Sequence, residues 1–235
     1  MSDVNGLRGL AAAVAQEVLN PLAAVGLHGE LLLGALADGD PRRESAEALV
    51  REVRRMDRNL RALRLFAGER ADGPGAVDLA AAASAAAADP SLDGPPARFE
   101  GSPLPAHGDR ELLRAAAFGL VAHARSRAAG DDPPEVRARA SAAALTLEVA
   151  VPGRRPDLDT LEPFGGRAAR GLALGPALAR EAARAHGGEL TVGPGPRAGT
   201  LYRLSLPRSG TVLSTVPPPG PGSVLSTVLV PGGGA

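Results

Sequence analysis

Gln16, Glu17, Asn20 and Pro21 lie together in AVAQEVLNPLAAVGLHGELLL, residues 13–33, inside what otherwise reads as an amphipathic helix. The carboxamide nitrogen of Gln16 is delocalised into its carbonyl and makes a poor nucleophile, so this group is suited to hydrogen bonding rather than covalent chemistry. Pro21 lacks an N–H and crowds the preceding turn, which predicts an interruption. Asn20 could cap a helix restarting at Pro21, with Glu17 simply solvated. A second candidate is the run Gly171, Leu172, Ala173, Leu174, Gly175, Pro176. A glycine loop opening a helix can present backbone N–H groups to phosphate, or it can be kept for its turns alone. Pro176 suits a first helical position, where its missing N–H costs nothing. His123 can in principle meet a phosphate or a metal, although a helical histidine reads first as a polar surface residue.

These groups need elements to hold them. Leu7, Leu10, Val14, Val18, Leu22, Val25, Leu32 and Leu36 recur at spacings near three and four, the stripe of a long amphipathic helix. ADGDP then predicts a turn. From 42 to 69, Leu49, Val53, Met56, Leu60, Leu63 and Ala67 alternate by four and three. Two such helices joined by a short loop predict an antiparallel hairpin. Its apolar seam would be covered by pairing two hairpins into a four-helix bundle, so a homodimer through the hairpin is expected.

RADGPG marks a boundary at 70–75. Beyond it a helix is expected over 77–88 on alanine propensity, then proline-rich connectors, then a helix over 109–129. EVRARA and ALTLEVAV are strand candidates, GPALAREAARAHGG a helix, and ELTVG with TLYRLSLP a hairpin around PGPRAG. The expected domains are a helical hairpin over 1–70 and an α/β sandwich over 76–207. The tail, 208–235, repeats TVLSTV as SVLSTV across PPPGPG and is expected to be a low-complexity, disordered extension.

Composition narrows the function classes. The 26 basic and 26 acidic side chains cancel, leaving no global field for nucleic acid. The arginines of the second helix alternate with acids, as on a solvated face, so no nucleic-acid partner is expected. With no cysteine, disulfides, thiolate chemistry and cysteine metal sites are excluded, and no metal site is expected. The N-terminus lacks the pattern of a signal peptide, and no uninterrupted apolar run approaches the roughly 20 residues that span a bilayer. No integral membrane segment and a cytoplasmic location are therefore expected.

The run Gln16, Glu17, Val18, Leu19, Asn20, Pro21, Leu22 resembles the phosphoacceptor box of sensor histidine kinases, usually His-Glu, two variable residues, then Asn-Pro-Leu. A second stretch looks like the last third of that family's GHKL-type ATP-binding domain. There Glu162, Pro163 and Phe164 match the approach to the nucleotide lid, and Gly171 to Pro176 the usual Gly-Thr-Gly-Leu-Gly-Leu. His186, Gly187 and Gly188 match the end of the next helix, and Gly199 with Thr200 the last hairpin. The resemblance identifies the chain as a degenerate member, and it makes the proline an expected kink.

It also implies what is missing. Gln16 stands where the phosphoacceptor histidine belongs. In FGLVAHA, Gly119 and His123 occupy the positions of the family's two asparagines, one of which reaches toward Mg²⁺. Pro152 replaces the adenine-binding aspartate, followed by Gly153, Arg154 and Arg155, with Asp157 and Asp159 displaced. Gly171, Gly175, His123 and Gly153 are what remains for a nucleotide to touch. The resemblance thus implies a dimeric, non-catalytic partner of a response-regulator receiver domain or of an active histidine kinase, with Glu17 and Asn20 as contacts. No cofactor is expected unless residual binding of ATP and Mg²⁺ persists. The alternative is an atypical kinase whose acceptor is His28 or His123.

Overall fold

The computed structural model describes residues 2–69, 73–128, 132–153 and 174–208, and within them the side chains from residue 9 onward. Two long helices come first, α1 (Ser2–Ala35) and α2 (Arg43–Ala67). They form the antiparallel hairpin, and the contact between them is made by small residues. Ala12, Ala15 and Leu22 of α1 are buried against α2, which contributes Ala46, Val50 and Val53. A Cβ at Gly26 would lie 3.1 Å from Val53, and one at Gly29 3.0 Å from Val50. The glycines let the two backbones approach. Gly68, at φ 100°, ends α2 in the left-handed conformation that glycine adopts without strain, and its N–H bonds back to Leu65.

Two expectations for α1 change. The helix runs through Pro21 without a restart, so Asn20 is a residue of the helix interior and not a cap; its Oδ1 accepts from Gln16 Nε2 at 3.5 Å. Pro21 removes only its own N–H, which leaves the Glu17 carbonyl without a helical donor, and packing on α2 holds the turns on either side. The stripe read from the sequence is also mostly not the face that meets α2. Leu10, Val14, Val18, Val25 and Leu32 are exposed, and only Leu22 of these is buried. The large apolar residues dominated the pattern, whereas alanine and glycine make the contact. With Glu17 and Glu30 as its two charges, the segment Gly9–Ala35 is also long and apolar enough to cross a bilayer by length and composition alone. That corrects the expectation of no such stretch, which counted only uninterrupted apolar runs.

The rest is a two-layer α/β unit. In order it comprises β1 (Pro74–Asp78), α3 (Leu79–Ala88), β2 (Arg98–Gly101), β3 (Pro105–Asp109), α4 (Arg110–Arg127), β4 (Glu135–Ala140), β5 (Ala144–Val151), α5 (Leu174–Ala185), β6 (Glu189–Pro194) and β7 (Thr200–Pro207). The main sheet has the order β2-β4-β5-β7-β6, with β2 and β4 parallel and the other pairs antiparallel; β1 and β3 form a separate antiparallel pair. Alternation sorts the faces. Val136, Leu147, Val149, Tyr202 and Leu204 turn to the helices, where Leu112, Leu113, Leu120, Val121 and Leu178 meet them. On the opposite face Glu148 pairs with Arg203 at 2.8 Å.

The strands and helices expected beyond 109 are present. β2 and β3, in the stretch expected to be connectors, are additional strands, and β1 takes the expected 70–75 boundary and the first two residues of the helix expected over 77–88, which starts at Leu79. These strands are short, and PAHGD and RFEG contain no alternating apolar run to announce them. Asp78 secures this corner: its Oδ1 caps α3 through Ala80 N–H and also takes the N–H of Leu104 at 2.8 Å.

Candidate functional site

On α1, Gln16, Glu17 and Asn20 are all exposed. At 100° per residue, Gln16, Asn20, Leu27 and Leu31 fall on one exposed face at the edge of the contact with α2. Leu27 and Leu31 each leave 61% of their surface in solvent. Beside them an open groove of about 270 Å³ runs between the helices, lined by Leu22, Gly26, Leu27, Val53, Arg54 and Arg58 among others. The carboxamides can donate and accept hydrogen bonds there, and the leucines offer apolar contact.

The candidates in the α/β unit converge on α4 and the start of α5. His123, on the inner side of α4, is buried, and its Nε2 lies 3.2 Å from the Tyr202 hydroxyl, with the two rings edge to face at 5.6 Å. The reading as a surface residue is therefore corrected. His123 is held by a strand that lies far along the sequence, and helical periodicity alone does not show such a contact. Four residues earlier, Gly119 touches Gly175 where α4 and α5 cross. A Cβ on Gly175 would fall 2.2 Å from the Gly119 carbonyl oxygen and 3.3 Å from His123 Cβ. Gly175 thus has a packing role that glycine alone can fill. Pro176 is the third residue of α5, not the first as expected, but still within the turn whose N–H groups have no helical partner.

Gly153, at φ 67°, follows Pro152 in the turn after β5, where a side chain would meet open space. Gly199 closes the neighbouring turn: a Cβ there would lie 2.1 Å from the Val151 carbonyl oxygen. Gly171, Leu172, Ala173, Arg154, Arg155, Asp157, Asp159, Glu162, Pro163 and Phe164 lie outside the described residues. Among the described residues no group of three or more histidines and carboxylates is placed to hold a metal. At the positions singled out, the donor set does not fit Mg²⁺ and adenine. Residue 123 offers an imidazole directed at Tyr202, residue 119 no side chain, and residue 152 no carboxylate.

His186 was singled out only as the end of a helix. Its Nδ1–H donates to the Ala182 carbonyl at 2.7 Å, and Nε2 accepts from the Asp109 N–H at 3.0 Å, which ties α5 to the junction of β3 and α4. Gly108 makes room for the ring.

Two arginines were not singled out at all. Arg125, 2% exposed, donates to the carbonyls of Ala86, Ala87, Asp89, Leu92 and Gly94 at 2.7–3.2 Å. Arg58 of α2 donates to Ser91 Oγ at 3.2 Å, so the 89–94 loop joins the hairpin to the α/β unit. Burial lowers the pKa of both guanidinium groups, opposed by Asp89 and Asp93. Burial pushes the Asp89 carboxyl up, but hydrogen bonds from Ser91 and the charges of Arg58 and Arg125 outweigh it and hold Asp89 below the ordinary range. Only the fold brings these residues together.

No family model and no curated protein matches the chain. Solved structures do. Full-length ShkA, in complex with AMPPNP, is 22% identical over 84% of this chain with a TM-score of 0.55, and the match spans 45% of that protein. The Acinetobacter baumannii histidine kinase AdeS is 16% identical, covering 82% of this chain and 94% of its own, with a TM-score of 0.48. The ATP-binding domain of PrrB from Mycobacterium tuberculosis is 25% identical, covering 58% of this chain and 98% of its own, with a TM-score of 0.44. With the hairpin, the mixed sheet and the order of elements already in place, the match to ShkA gives the architecture its name: the chain has the fold of the sensor histidine kinases, a helical hairpin followed by a GHKL-type, ATPase-like α/β domain.

Proposed function

We propose that the chain works in two-component signal transduction as a non-catalytic, dimeric binding partner of a response-regulator receiver domain or of an active histidine kinase. The observation that carries this reading is that α1 exposes two separate apolar faces. One, through Val14, Val18, Val25 and Leu32, suits a second copy of the hairpin; the other, through Leu27 and Leu31, flanks Gln16 and Asn20 and the groove between the helices. A protein that retains docking surfaces while offering a carboxamide in place of a nucleophile is equipped to bind and not to transfer. The domain limits 1–70 and 76–207 and a cytoplasmic location belong to the same proposal.

Calorimetric titration of the purified protein with receiver domains from its own cell tests it. Micromolar binding to at least one receiver, weakened at least tenfold by Leu27→Asp, is the expected result. Absence of binding to every receiver, and of mixed dimers with a kinase, would overturn it. The enzyme alternative has His28 as its exposed acceptor, since His123 is enclosed against Tyr202. Acid-labile label on a histidine after incubation with γ-labelled ATP and Mg²⁺ would establish that alternative instead.

A further inference from the structure

The exposed stripe of α1 contains one titratable group. Val14, Val18, Pro21, Val25, His28 and Leu32 alternate by four and three, and all six are exposed. On an α-helix they lie within about 40° of a single line and extend over roughly 27 Å. A repeat of 3.5 residues is the pattern that meets another helix by interdigitation. α2 does not fill that role, because it packs on the face carrying Ala12, Ala15, Gly26 and Gly29. A lipid surface is a poor match, since the segment from 9 to 35 contains no lysine or arginine. The pattern points to a second copy of this chain, with Leu49 and Met56 of α2 as further exposed apolar positions.

We infer that His28 lies within the seam where two copies pair and makes that pairing sensitive to protons; the inference rests on the dimer proposed above. Neutral imidazole is tolerated in an apolar seam, but burying an unpaired imidazolium is costly. Among the described residues of α1, none one turn from His28 carries a charge to compensate the cation. Its neighbours one turn away on α1 are Ala24, Val25, Leu31 and Leu32. Glu30 turns to α2 and pairs with Arg54. At this level of the hairpin, fixed by Gly26 against Val53 and Gly29 against Val50, the remaining charges of α2 are matched: Arg51 with Glu47, and Arg55 with Glu52. The matched pairs leave His28 the one ionisable group of the stripe.

The sign follows from linkage. Pairing that excludes the proton weakens as acidification charges the imidazole, and two copies each excluding a proton double the effect. Sedimentation equilibrium of the full chain at pH 8.0 and pH 5.5, for the natural protein and for His28→Leu, tests this. The natural protein should dissociate at least about tenfold more readily at pH 5.5, and His28→Leu should pair at least as tightly at both values. A natural dimer with the same constant at both pH values, or tighter at pH 5.5, overturns the inference alone. So does a shift that His28→Leu retains, which would include general acid unfolding. A monomer at pH 8.0 in both proteins overturns the dimer reading and this inference together.

Discussion

In α4 of the α/β unit, Leu113, Leu120 and Val121 are fully enclosed, whereas in α1 Leu10, Leu27 and Leu31 leave 61% of their surface to solvent. Both helices are amphipathic, and both pack on a neighbour of the same chain. They differ in how many neighbours cover them. α4 lies on the sheet with α3 and α5 packed against it, so its apolar residues find partners on several sides. Among the described residues the α/β unit therefore covers its own large apolar side chains, and the hairpin leaves apolar faces uncovered. Isolated exposed leucines are ordinary on protein surfaces, but two aligned rows along one helix mark interaction surfaces.

The comparison is sharpest at Arg125. Its guanidinium ties the end of α3 and the 89–94 loop to α4 through five carbonyls, and Arg125→Ala would leave those acceptors unpaired in a dry site. A loss of about 3–5 kcal/mol is expected, measured by urea denaturation of the full chain; a loss under about 1 kcal/mol would show that water replaces the guanidinium. Leucine truncation comes next and contrasts the two regions directly. Leu120→Ala should cost about 2–5 kcal/mol. Leu27→Ala, at an exposed position of the hairpin, should change stability by less than about 0.5 kcal/mol while weakening partner binding. Equal costs at the two sites would remove the distinction between a covered unit and an uncovered one. Below the loss at Leu120 comes Gly175→Ala: its methyl group must push α5 away from the Gly119 carbonyl, at a cost of about 1–3 kcal/mol, and loss of the His123 to Tyr202 hydrogen bond in the variant's structure would show where the strain goes.

How legible each region is follows the same division. The hairpin is legible in apolar spacings of three and four, and the strand ALTLEVAV in alternation, because each pattern is local and repeats. The faces of α1 were misassigned since Ala12, Ala15, Gly26 and Gly29 contribute little hydrophobicity yet permit the closest approach. β2 and β3 were missed because a four- or five-residue strand is stabilised by its sheet partners and has no strong preference of its own. In the candidate site, the residue types at 16, 20, 119, 123 and 152 were visible with their chemistry. The burial of His123 against Tyr202, the crossing at Gly119 and Gly175, and the loop that joins Arg58 to Arg125 all depend on pairs more than 30 residues apart. No periodicity records such pairs.

The smallest effect concerns the loop joining the two regions. Asp89 accepts the Ser91 N–H at 2.8 Å and faces the charges of Arg58 and Arg125, which together depress its pKa. A carboxyl whose folded pKa lies below its unfolded value adds stability above the unfolded value and loses it as pH falls through the folded one. The natural chain should therefore lose part of its stability below about pH 4, and Asp89→Asn should be less stable at pH 7 with a flatter acid limb. Because Arg58 reaches the same loop from α2, amide hydrogen exchange at 89–94 should accelerate in the natural chain on acidification and in Arg58→Ala already at pH 7. If only the acid limb changes and exchange in Arg58→Ala stays at the natural rate, the loop is held by Arg125 alone. The hairpin would then be tied to the α/β unit through the apolar packing of Ala62, Leu65 and Phe66 near the end of α2.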